Sequence, residues 1–393
     1  MSREDKASME PLMPASGSRV LEDLSMELAQ KGAALAGTLN PIVRESIGHL
    51  VRSMNCYYSN LIEGHHTHPR YIDKALGGDF ESDPVKRQLQ LEAVAHIEVQ
   101  RMIDTGASPA VKPTLEFLCW AHREFCSRLP DELLQATHAD SGKIIPVVPG
   151  ELRAEEVIAG NHLPPPPHTL TRFIARFEQA YDPERLSRVD RVIAAAASHH
   201  RLLWIHPFLD GNGRVARLFS HAWLAQMGIG STLWSVSRGL ARRANDYKAA
   251  LMAADMPRQG DLDGRGNLSD KNLTAFCVFF LQTAIDQVEF MSALLDTRKI
   301  LTRMELHVRE QIADGELPKG SYELLREAWL MGEYKRGQAA GITGYKARAA
   351  REVLSILVRK GYLGSDTEKG PVRLLFPARA VERWLPMLYP ESD

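Results

Sequence analysis

The stretch that most constrains this chain is residues 206–217, HPFLDGNGRVAR, set between two apolar segments of helical periodicity. A base, a carboxylate, two glycines, an amide and two arginines fall within twelve residues. Pro207 interrupts the first helix, and the glycines let the backbone turn tightly with its amides inward. The following helix then presents unpaired N–H groups and the positive end of its dipole, which together make a nest for phosphate. Arg214 and Arg217 lie three apart, share a helix face and can fork onto further phosphate oxygens. Asp210, the one carboxylate in the loop, is the natural Mg²⁺ ligand, and His206 at the entrance is placed to take a proton from an attacking hydroxyl. Burying such a cluster without a ligand would leave amides and charges unpaired, so its residue types favour phosphate binding over a purely structural loop.

The surroundings are mostly helical. Helical patterning runs from Val20 to about Leu129, with loops at 65–70 and 77–84. It resumes through RVIAAAASHHRLLWI, from about Asn212 to Met227, and over 272–296. Short β-branched pieces between Gly and Pro at 141–160 predict a small hairpin near 143–158, followed by a stiff PPPP connector at 164–167. Residues 1–19 are polar and contain Pro, Ser and Gly, which predicts a flexible tail.

HPFLDGNGRVAR resembles the Fic-family motif H-x-F-x-D/E-G-N-G-R-x-x-R at every fixed position. GELRAEEVIAG (150–160) is similar to that family's target-docking flap, and RRANDYKAAL (242–251) to the helix beyond the motif. The resemblance covers about residues 20–295 and implies transfer of AMP from ATP to a Ser, Thr or Tyr hydroxyl of a target protein. It implies that His206 is the base and that Asp210 holds Mg²⁺. Gly211, Asn212 and Gly213 would then form the anion hole, with Arg214 and Arg217 on the outer phosphates. Ser59-Asn60-Leu61-Ile62-Glu63-Gly64 resembles the family's inhibitory pattern S/T-x-x-x-E-G/N, which implies that Glu63 pairs with Arg217 and brakes the enzyme. Removal of AMP as well as its addition stays open, as does a nucleotide-sensing DNA-binding regulator built on the same core.

The expected fold is all-α: a Fic-type helical core with a small β-hairpin flap, plus a C-terminal winged helix-turn-helix-like domain. The expected divisions are a tail (1–19), an N-terminal helical region carrying the inhibitory helix (20–110), a catalytic core (111–295) and the C-terminal domain (296–393). Asn245 and Tyr247, two residues apart, are candidates for an adenine pocket. His65, His66 and His68 read as a solvated loop rather than a metal site, and 261–272 fails as a calcium loop at its fifth and twelfth positions.

Residues 335–360 carry seven basic residues and one acidic, which suits DNA or a docking partner, and a homodimer is also open. The whole chain is nearly neutral, 48 basic against 49 acidic residues, so nothing global draws it to nucleic acid or membrane. Four scattered cysteines exclude a disulfide scaffold, and the start lacks a signal-peptide pattern. A cytoplasmic protein is the expectation.

Overall fold

The computed structural model describes residues 3–137, 142–229 and 232–389. Among them are sixteen α-helices and five short strands. The chain divides into two units, one of residues 1–33 and 55–288, the other of 34–54 and 289–393.

In the first unit, α1 (Arg19–Gly37) and α2 (Pro41–Ile62) contribute in part, followed by α3 (Pro69–Leu76), α4 (Pro84–Asp104) and α5 (Leu115–Cys126). Proline at the first position and Asp83 as cap, its side chain accepting from Lys86 N–H, start α4. The strands β1 (Gln135–Thr137) and β2 (Ile144–Pro146) pair antiparallel, with Ala136 opposite Ile145. The hairpin therefore begins before the predicted 143–158, and 147–158 is irregular chain. Val147 and Pro149 flank the end of β2, and proline cannot continue a ladder.

Beyond it come α6 (Leu170–Ala180), α7 (Arg188–Ile205), α8 (Asn212–Gln226), α9 (Val236–Arg242), α10 (Ala244–Ala254) and α11 (Asp270–Leu294). Ala194 to Ala197 on α7 are wholly buried, and such small side chains let α7 and α8 pack closely. The two helices thereby fix both ends of the short 206–211 loop. By length and apolarity α11 would suffice to cross a bilayer. Its Leu273, Phe276, Phe280 and Leu281 are instead buried in the unit's core.

The predicted flexible tail is packed, as far as it is described. Met9 and Leu12 are buried, Arg201 donates through Nε and Nη2 to the Pro11 carbonyl (3.0 and 2.7 Å), and Tyr181 Oη donates to the Leu12 carbonyl at 2.5 Å. Two apolar side chains, a few carbonyls and the Glu10–Arg176 ion pair make this docking, and none of them gives a periodic signal.

The second unit contains α12 (Thr297–Ala313), α13 (Ser321–Met331), β3 (Glu333–Tyr334), α14 (Ala339–Thr343), α15 (Ala347–Arg359), β4 (Leu363–Gly364), β5 (Val372–Leu374) and α16 (Ala378–Trp384). Its sheet has the order β3-β5-β4, all antiparallel. The turn between α1 and α2 belongs here, since Asn40 Nδ2 donates to the Met331 carbonyl at 3.1 Å. The cut expected at 295 lies close to the boundary after 288, no boundary falls at 110, and residues 34–54 belong to the C-terminal unit.

Candidate active site

The loop between α7 and α8 starts and ends on left-handed residues. His206 has φ 51° and ψ 60°, and Gly211 has φ 78°, a conformation that glycine adopts freely. Asn212 closes the loop on itself: its Oδ1 accepts from Phe208 N–H (2.9 Å) and its Nδ2 donates to the Phe208 carbonyl (2.8 Å). The Asn212 side chain is thus committed to the loop, leaving only its main chain for a bound anion. The first-turn amides of α8, Asn212 to Arg214, precede the first bond from that turn, Val215 N–H to Gly211 O at 3.0 Å.

His206 is half-buried at the entrance. Its Nδ1 faces the Leu203 carbonyl at 3.4 Å, so the tautomer donating there leaves the Nε2 lone pair free. Burial lowers its pKa to about 4; Arg153 and His162 push the same way, opposed by the Leu203 carbonyl and Asp210. The imidazole is therefore neutral near pH 7. Asp210 is exposed, and its Oδ1 accepts the Gly211 amide at 2.6 Å. Among the described residues no group of three or more His, Cys, Asp or Glu is arranged to hold a metal. A lone exposed carboxylate beside a phosphate nest fits Mg²⁺, whose remaining ligands are phosphate and water.

Both arginines of the motif are buried and already paired. Arg217 donates from Nε to Ser59 Oγ (2.8 Å), from Nη2 to the Ser59 carbonyl (3.2 Å), and to the Glu63 carboxylate. A Cβ placed on Gly213 would overlap that same carboxylate. Burial alone would raise the Glu63 pKa, but the charge and hydrogen bond of Arg217, with Arg214 and His65, hold it below its ordinary value. Arg214 bonds Glu92 of α4 at 2.9 Å and lies over the Phe125 ring, 5.1 Å from its centroid. His65 shares that carboxylate, Nδ1 to Glu92 Oε2 at 2.7 Å. His65 is therefore an anchored member of a hydrogen-bonded trio with Glu92 and Arg214 and not part of a solvated loop. Its acid, 27 residues away, comes from another helix.

Asn245 and Tyr247 do not come together. Residues two apart on a helix point to different faces. Asn245 is exposed, whereas Tyr247 is buried, its hydroxyl 2.7 Å from His199 Nε2, while His199 Nδ1 meets Ser220 Oγ at 2.8 Å.

Besides Glu92, two further site residues escaped the sequence reading. His122 on α5 accepts Gly150 N–H at Nδ1 (2.8 Å), so Nε2–H donates to the Asp210 carbonyl (3.2 Å), and its ring stacks on Phe208 at 4.1 Å. A histidine within the buried α5 stripe Leu118, Ala121 and Phe125 was its one sequence signal. Arg153, in the chain after the hairpin, donates to the carbonyls of His206, Glu155 and Pro165.

The Fic/DOC family model matches residues 112–224, spanning α5 to α8 and the loop. The chain carries a Fic/DOC family domain. Proteins named "Protein adenylyltransferase Fic" from Drosophila erecta and Drosophila melanogaster are 37% identical to it over 97 residues, 25% of this chain. That stretch spans only 20% of those relatives' own length. A Fic family protein from Desulfovibrio desulfuricans superimposes with a TM-score of 0.53 at 16% identity, covering 93% of this chain and 99% of that one. Fic-1 from C. elegans gives 0.54 at 15%, covering 72% and 74%. The mostly helical fold is thus that of Fic structures, and the hairpin β1–β2 lies inside the matched Fic domain.

Proposed function

We propose that this Fic protein is an adenylyltransferase that moves AMP from ATP to a Ser, Thr or Tyr hydroxyl of a target protein and is held back by Glu63. The observation that carries this reading is one arrangement: a neutral His206 at the start of the loop whose other end opens α8, with both motif arginines buried and the Glu63 carboxylate against Gly213. His206 Nε2 takes the hydroxyl proton as the new O–P bond forms at the α-phosphorus, and the bond to pyrophosphate breaks. The α8 amides and Arg214 stabilise charge on the phosphates, and Arg217 receives the γ-phosphate once Glu63 gives way. Asp210 would hold Mg²⁺. That ion, when bound, draws charge from the phosphate oxygens.

The direct test is incubation of Glu63→Gly with labelled ATP and lysate, followed by mass spectrometry for AMP on protein hydroxyls. AMP-bearing peptides whose yield collapses in Glu63→Gly/His206→Ala support the assignment. Label that is transferred as phosphate, or not at all, overturns it.

For the second unit we propose docking of a protein partner. Lys346, Arg348, Arg351 and Arg359 are exposed along or beside one face of α15 and form no ion pair among the described residues. The flanking residues 301–333 carry four Lys or Arg against seven Asp or Glu, so the basic stretch is short for the phosphate track of a duplex. Salt-steep binding to a pool of duplexes would transfer this face to nucleic acid.

A further inference from the structure

Arg153 is nearly fully buried, 4% exposed, yet forms no ion pair among the described residues. Its polar atoms are spent on main-chain carbonyls instead. Nε donates to His206 O at 2.7 Å, Nη1 to Glu155 O at 3.0 Å and Nη2 to Pro165 O at 2.6 Å, while its own N–H donates to Pro207 O at 3.0 Å. The carbonyls of His206 and Pro207 lie at the C-terminal end of α7, where the helix dipole favours a cation. Burial lowers the Arg153 pKa to about 10, which leaves it charged at neutral pH.

The residue at the other end of these bonds is unusual. His206 and Met387 are the only described non-glycine residues with positive φ. An L-residue persists in the left-handed region only where its surroundings over-determine it. On its amino side His206 is tied by its own N–H to Leu202 O at 3.0 Å. On its carboxyl side the Arg153 side chain holds the His206 carbonyl, its main-chain N–H holds that of Pro207, and Asn212 holds Phe208 further on. Rotation of His206 back toward the right-handed region would swing its carbonyl off the guanidinium and re-aim the imidazole.

We infer that Arg153 is a positioning residue for the transfer reaction, clamping the His206 and Pro207 carbonyls so that the imidazole stays aimed over the phosphate nest. This rests on the reading of His206 as the base. Lysine cannot replace Arg153, because three carbonyls in different directions need the planar fork rather than a point donor. Arg153 also ties the segment after the hairpin to the motif, so a shift of the flap is felt at His206.

The test uses the full chain with Glu63→Gly, comparing Arg153→Lys and Arg153→Ala with the parent, and His206→Ala as a control. Transfer rates give kcat and KM for Mg·ATP. Binding of a non-hydrolysable ATP analogue and the melting temperature report the fold and the nest. The expected result for Arg153→Lys is a loss of at least ~10-fold in kcat, because small misplacement of a catalytic group can cost ~10²-fold. KM and analogue affinity should stay within ~2-fold, since an aiming defect acts on the transition state and not on nucleotide binding.

A folded Arg153→Lys or Arg153→Ala with parental kcat overturns the inference. So does a parallel fall of kcat, analogue affinity and melting temperature, or failure of both variants to fold, because each assigns Arg153 to the fold alone. Activity retained in His206→Ala would instead remove the base assignment itself. An inactive His206→Ala beside a fully active Arg153→Lys would remove only the inference about Arg153.

Discussion

The Glu63 carboxylate crowds the position that a Cβ on Gly213 would take, and the same carboxylate is bonded by Arg217. Glycine at 213 thus keeps open a space that either this carboxylate or an anion of the substrate can fill. On the function proposed above, competition for one place would let a side chain outside the motif govern it without blocking the entrance at His206.

The first prediction follows. Glu63→Gly should raise transfer by an order of magnitude or more, since a hydrogen bond to a charged group is worth ~1.5–3 kcal/mol and ~1.4 kcal/mol is already tenfold. Arg217→Ala breaks the same pair and should not activate, because the guanidinium is needed by the outer phosphate. Opposite signs from two cuts in one ion pair are the signature to look for in initial rates. Equal rates for wild type and Glu63→Gly on the same target would reduce the pair to a structural contact.

The second concerns the base. With its pKa near 4, the His206 imidazole is neutral at the pH of an ordinary assay. In the Glu63→Gly background the pH profile of kcat/KM should therefore show no acid limb from His206 between about pH 6 and 8, and His206→Ala should lower kcat by ~10²–10⁴-fold. An acid limb near pH 6.5 that disappears with His206→Ala would show that the free enzyme holds this group differently.

How much of this was legible in the sequence depends on whether the partners lie in one element. Residues 206–217 are contiguous, so turn chemistry and helix-end electrostatics could be read directly from them, as could the helical patterning around them. Arg153 and His206, His122 and Asp210, and Glu92 and Arg214 are each joined only by tertiary packing, 53, 88 and 122 residues apart. No local periodicity marks such pairs. Asn245 and Tyr247 lie two apart, a spacing that separates side chains on a helix and would align them on a strand, and Tyr247 alone reaches Arg217. The N-terminal segment docks by Met9, Leu12 and its carbonyls, a pattern that composition describes as a tail.

A third prediction separates loop integrity from chemistry. Asn212 makes two bonds to the Phe208 main chain and is 3% exposed. Asn212→Ala strands a buried donor and acceptor, at a cost of ~1–3 kcal/mol, and the melting temperature should fall by several degrees. Because the loop carries Asp210, Mg·ATP binding should weaken with it. Asn212→Ala with parental melting temperature and parental Mg·ATP affinity would show that the nest does not need this clamp.

The last prediction concerns the pH range of the brake. The folded Glu63 pKa lies below its ordinary value, held there by Arg217 against the effect of burial. For a depressed carboxylate the pairing is intact above its ordinary pKa of ~4.3 and is lost only as pH falls through the lower folded value. His65, two residues on, has a raised pKa because of its hydrogen bond to Glu92, so it gains its proton first as pH falls. The added positive charge near Glu63 favours the ionised carboxylate further. The ratio of Glu63→Gly to wild-type rate should accordingly stay level, or rise slightly, from about pH 8 down to about pH 5. Both variants lose rate equally if another group titrates, so the ratio isolates the brake. A ratio that collapses toward one between about pH 6 and 5 would mean that Glu63 protonates in the ordinary range or above, and that Arg217 does not hold it.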